Sequence, residues 1–271
     1  MKAATGIGIG LALLGILGGA LIEGTPLGTL MNIPAILIVF VGTAGVTLAA
    51  VGMDVFKRFP ALVKKAISGE APDLGARATE LVGYAEQARK DGLLSLEGPA
   101  KDIADPFSRK AVQLVVDGTE AAALRAVLES EIDAMHARHA QGVGMFEKAG
   151  GFAPTIGIIG AVLGLMHALG YLSEPEKLGE AIASAFVATV FGVGVANIFF
   201  LPVGNRLEGM SKQEIELREM TMEGALAIQA GENPRIISER LETYIAPSVR
   251  PSAGGGEGGA AATGDAQRQA A

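Results

Sequence analysis

Apolar residues fall into four long runs along this chain instead of recurring at core spacing, and those runs decide its class. The first, 5–22, carries no charge between Lys2 and Glu23; the others are 33–53, 151–172 and 178–203. Each is long enough to cross a hydrocarbon core of about 30 Å at ~1.5 Å per helical residue. None shows the apolar stripe opposite a charged face that marks a helix on a soluble core. The pattern predicts an all-α integral membrane protein with four transmembrane helices. The third and fourth runs, separated only by 173–177, form one hairpin. The first and second, also joined by a short connection, form another.

Between the second and third runs the pattern changes. Lys57, Arg58, Lys64 and Lys65 follow the second span, and charged, helix-favouring sequence continues to Lys148. Pro60, Gly69, Pro72, Gly92, Pro99, Pro106 and Gly118 punctuate it, which predicts short helices such as 74–90 and 119–148. After the fourth span an amphipathic stretch covers 211–244, and a Gly- and Ala-rich tail too poor in apolar bulk to pack follows. The chain therefore divides into 1–53 (spans one and two), 54–150 (helical cytoplasmic domain), 151–203 (spans three and four), 204–250 (cytoplasmic helical segment) and 251–271 (disordered tail).

Lys and Arg placement orients the spans, because cytoplasmic segments near span ends carry the excess. The connection 23–32 has none, and 173–177 has only Lys177 beside two acids. Both connections are expected to face outward, with both termini and the large domain in the cytoplasm. The first run has a single lysine before it and no Ala-x-Ala cleavage site after it, so it reads as a retained span.

Composition then narrows the chemistry. Cysteine is absent, which rules out disulfides and thiolate metal sites. A net charge of −7, with Lys and Arg interleaved among acids, excludes a nucleic-acid binder. There is no Gly-x-Ser-x-Gly elbow, zinc motif or nucleophile beside paired acids, and Gly-x-Gly occurs only inside spans, where it cannot cradle phosphate. Neither an enzyme nor a cofactor is expected. Asp133, His136 and His139 share a helical spacing that could hold a metal, although a solvated face is the commoner use of such a run.

No Asp, Glu, Lys or Arg stands in the interior of a span; Glu23 and Asp54 sit at ends. A protein that moves ions through lipid needs an ionisable or coordinating group near mid-membrane. Either these spans move no ions, or a partner brings the carboxylate and this chain builds the wall around it. Gly157, Gly160 and Gly164 in span three and Ala183, Ala188, Gly192 and Gly194 in span four allow close helix approach, whether to each other or to a partner. Pro154 and Pro202 can kink their helices, and Thr189 either bonds its own backbone or lines a polar path. His167, near the outward end of span three, reads as an interfacial histidine or a proton relay.

Five segments carry a resemblance: 32–39 with Gly42 and Thr43, 89–97, 151–160, 185–192 and 223–235. Through them the chain resembles the flagellar motor stator subunits of the MotA/TolQ/ExbB proton channel family, from the first span to Pro247. Val41 departs from the Gly-Gly-Thr usual there. The resemblance implies a pentameric ring of copies in the bacterial inner membrane around two single-span MotB-like helices that carry an ionisable aspartate. It implies that Pro154 and Pro202 are functional prolines, that Thr189 faces the channel, and that Arg89 and Glu97 engage the rotor protein FliG. Sodium-driven relatives have a threonine matching Ala161, so the alanine here implies a proton-driven motor. A TolQ- or ExbB-like energiser of another envelope process is the alternative, but those have three spans and an outward N-terminus.

Overall fold

The computed structural model describes residues 4–25 and 27–247; the tail expected at 251–271 lies outside the described residues. Among the described residues every regular element is helical, and four helices are long and apolar enough to cross a membrane.

Span one is α1, Ala4–Ile22, and span two is α2, Ile33–Val51. The Asn32 side chain caps α2 by accepting from the Ala35 N–H at 3.1 Å, with Pro34 in the first turn, where its missing N–H is harmless. A π-turn occupies Leu37–Val41, and Gly52, at φ 78°, ends the span. Three short helices follow: α3 (Phe59–Ser68), α4 (Leu74–Asp91) and α5 (Glu97–Asp102). Next comes α6 (Pro106–Val116). Asp73 and Asp105 cap α4 and α6, and Gly92 (φ 83°) and Gly118 (φ 68°) turn the chain after them.

Helices run continuously through two of the expected boundaries. The stretch expected at 119–148 and span three are one helix, α7 (Ala121–Ala168, 48 residues), which passes 150/151 without a break. Span four and the following segment are likewise one helix, α8 (Pro175–Gln229, 55 residues), with a π-turn at Ala196–Phe200. Glycine in mid-helix lowers helix propensity. Gly150 is nonetheless held in the helix, because a Cβ there would meet the Leu201 side chain at 2.6 Å. A final short helix, α9 (Pro234–Leu241), folds back after Gly231.

Three apolar clusters hold these parts together. The largest joins α4, α5, α6 and α9 to the first part of α7 and the last part of α8 through Leu81, Phe107, Leu124, Leu128, Met220 and Ile237, all nearly inaccessible. A second, at the membrane junction, packs Phe146 and Val203 with Phe59, Phe199 and Phe200. The third, within the spans, sets Ala35 and Val39 of α2 against Val187 and Ala188 of α8. No residue of α1 is buried, and its main helix contacts are with the Ala196–Phe200 turn, α3 and the part of α8 after that turn. The first pair is thus a hairpin by connection more than by packing.

Candidate functional site

The seam between α7 and α8 in the membrane is made by glycine. A Cβ on Gly157 would stand 2.8 Å from the Ala188 carbonyl oxygen and 3.1 Å from the Gly192 Cα; one on Gly192 would stand 2.5 Å from the Ala153 carbonyl oxygen. Gly160 meets Ala188 and Gly164 meets Ala185 in the same way. These small residues are therefore used within the chain, to bring two backbones into contact. Ala183 lies outside the seam, exposed.

Four of the singled-out residues lie along this seam. Pro154 is half-buried inside α7, where it leaves the Gly150 carbonyl without its usual partner. Ala161, 9% exposed, follows Gly160, where a Cβ would stand 2.8 Å from the Ala188 Cβ, and Thr189 follows Ala188, so Ala161 and Thr189 lie close together along the seam. Pro202 follows the π-turn of α8, opposite 147–150, and is offset from Pro154 by about two turns, ~10 Å. The structure does not pair the prolines; it spaces them along one seam.

Thr189 is half-buried, and its hydroxyl has no partner among the described residues. Thr155 and Thr221, by contrast, donate to their own backbone carbonyls at 2.7 Å. Of the two readings of Thr189, the backbone bond is not formed: a half-exposed hydroxyl is not forced onto the helix as a sealed one is. His167 is exposed, with its ring edge-on to Tyr171 at 5.3 Å, beside the Lys177 ammonium that sits 5.9 Å over the same tyrosine. That is an aromatic and cationic cluster at a span end.

Arg89 and Glu97 stand on the two sides of the turn that Gly92 makes. The turn is fixed by the Gln87 amide donating to the Ser95 carbonyl at 2.8 Å and the Ser95 hydroxyl donating to the Gly92 carbonyl at 2.6 Å. Both charges are exposed, with Leu94, 74% exposed, between them in sequence. Glu97 pairs with Lys101 at 3.0 Å, while Arg89 has no partner among the described residues.

The spacing of Asp133, His136 and His139 does not gather a site. His139 turns inward to the Ser211 hydroxyl at 3.0 Å while Asp133 and His136 stay exposed, and no group of three potential ligands comes together among the described residues. Burial holds the His139 imidazole below its ordinary pKa. Beside it, Glu214 is held below the usual carboxylate range: burial pushes it up, but Lys65 and a hydrogen bond from Arg218 outweigh that.

The apolar runs gave no role to several polar residues of the spans. Thr43 and Thr47, one turn apart on α2, are each 2% exposed with no hydrogen-bond partner. Asn197 donates to the Val193 carbonyl at 2.9 Å. Glu180, exposed in the second turn of α8, lies just inside a run read as free of charge. A search for amides and hydroxyls inside the runs, besides charges, finds the first three.

The sequence profile described as the MotA/TolQ/ExbB proton channel family matches residues 99–220. Motility protein A of Bacillus subtilis is 36% identical over 243 residues, covering 88% of this chain and 89% of that one. The chain belongs to the MotA/TolQ/ExbB proton channel family. The solved flagellar MotAB stator complex from Bacillus subtilis superposes with a TM-score of 0.84 at 34% identity, covering 89% of this chain and 96% of that one. The C. jejuni MotAB structure gives 0.87 at 27% identity, with 91% and 97% covered. Within the family the chain is a membrane-embedded stator subunit of the flagellar motor.

Proposed function

We propose that this chain is the wall and lever of a proton-driven stator whose ionisable carboxylate comes from a MotB-like single-span partner. One observation carries the reading: the spans bury no Asp, Glu, Lys or Arg, yet α8 presents an unpartnered Thr189 hydroxyl at mid-span. Copies of the chain form a pentameric ring in the inner membrane around the partner's helices, with termini and large domain in the cytoplasm. Proton arrival at the partner's aspartate alters its contacts with the seam that bears Pro154, Ala161, Thr189 and Pro202. Because α7 and α8 run unbroken from that seam into the cytoplasmic domain, a small tilt is delivered to the turn bearing Arg89 and Glu97, which engage FliG. One proton crossing 100 mV supplies about 2.3 kcal/mol, enough for a tilt and far too little to unfold an element.

Purified chain alone in liposomes is expected to conduct no protons, and the complex with its partner to conduct them. A deletion strain is expected to assemble flagella and not swim. Proton flux through the chain alone would overturn the division of labour, and a swimming deletion strain the motor role.

A further inference from the structure

Asn197 is exposed in the π-turn of α8, and its Nδ2 donates to the Val193 carbonyl at 2.9 Å. That bond uses one N–H and leaves the second N–H and Oδ1 without a partner among the described residues. Asn197 ends an exposed stripe of α8 formed by Phe186, Val190 and Val193, at whose edge Thr189 stands eight residues back, about 12 Å along the axis. An amide with open hydrogen-bonding groups is costly against hydrocarbon. The stripe is apolar from Phe186 to Val193, so it is only its Asn197 end that is built to meet water or polar groups and not lipid tails.

We infer that Asn197 lines the same pathway as Thr189, on its Pro202 side, and holds water in line for the proton leaving the partner's carboxylate. This rests on the reading of Thr189 as pathway-lining. The amide does not take up the proton. Its Oδ1 accepts from one water and its N–H donates to the next, which orders a file in which each water gains one O–H bond and gives up another. The Val193 carbonyl, which also accepts from the Ala196 N–H, fixes the Asn197 rotamer.

The test uses the full complex in cells and in liposomes, with three variants. Asn197→Leu is expected to lower proton flux and low-load rotation speed by about fivefold or more while the complex is recovered in normal yield. Asn197→Ser, which can still hold a water, is expected to keep roughly half of the flux or more. Thr189→Val, expected to stop flux, separates the two levels of the reading. Asn197→Leu with normal speed beside a dead Thr189→Val overturns this inference alone. Normal flux in both variants overturns the pathway reading beneath it. Loss of the assembled complex in Asn197→Leu, or Asn197→Ser as damaged as Asn197→Leu, makes Asn197 a packing contact and also overturns the inference.

Discussion

His139 sits where α3, α7 and α8 meet, with Lys65, Glu214 and Arg218 facing it across helices and Arg138 beside it on its own. Its pKa lies below the ordinary 6.5 because burial disfavours the imidazolium. The unfolded chain therefore takes up this proton first as pH falls. The stability it contributes is present above 6.5 and lost below it. Asp105 and Glu214, both held below their ordinary 3.8 and 4.5, add to the loss only in stronger acid. The melting temperature of the purified complex is expected to drop by a few degrees between about pH 7.5 and 5.5, and His139→Gln to flatten that drop. Equal slopes in both proteins would remove the role. Arg89 and Glu97 are cheap to change, since exposed ion pairs contribute about 1 kcal/mol or less. Reversing either should weaken swimming with normal membrane levels, and a compensating reversal on the rotor should restore it; if no rotor reversal does, these charges are a solvated face. The sequence made the charges visible, but not that Glu97 is tied to Lys101 while Arg89 is unpaired, because that depends on how the chain turns at Gly92.

At the scale of elements, the four spans were legible because an uninterrupted apolar run has one physical explanation, and the caps at Asn32, Asp73 and Asp105 follow ordinary start signals. The long continuous helices were not legible. Gly150-Gly151 and Pro202 read locally as breaks, and only the partner helix decides that the chain continues straight through them. The π-turns were equally hidden, since they lie in the register of backbone hydrogen bonds and not in side-chain pattern. Which glycines matter is a property of the seam. Gly192→Ala pushes a methyl to 2.5 Å from the Ala153 carbonyl oxygen, a backbone atom that cannot step aside. It is expected to destabilise the complex by about 1–3 kcal/mol and to cut assembled protein and swimming together. Gly144→Ala, with nothing within 4 Å, is the control: it removes a mid-helix glycine and should leave levels unchanged or raised. Quantifying the complex in membranes checks both, and a normal Gly192→Ala would mean that the seam is looser than its geometry.

Ion choice belongs to the whole assembly, because a cation is selected by every oxygen that can reach one point. A sodium ion must exchange its hydration shell for several ligands, whereas a proton needs a carboxylate and a file of water. Near Thr189 on the seam, Ala161 offers no side-chain oxygen. The hydroxyls of Thr43 and Thr47 are sealed on α2 at 2% exposure and do not open onto the stripe beside Thr189. Asn197 is about 12 Å further along the axis, beyond the reach of a single coordination shell. On the proposed reading, one threonine and a carboxylate from the partner are too few oxygens for sodium and enough for a proton. Swimming speed at fixed external pH is therefore expected to be the same with and without sodium and to collapse on addition of a protonophore. Ala161→Thr alone is not expected to confer sodium dependence, since it supplies one ligand and the shell needs several. Strict dependence on sodium, with swimming that survives the protonophore while the sodium gradient is kept, would show that oxygens from the partner or a neighbouring copy complete a sodium site, and the proton assignment would fall.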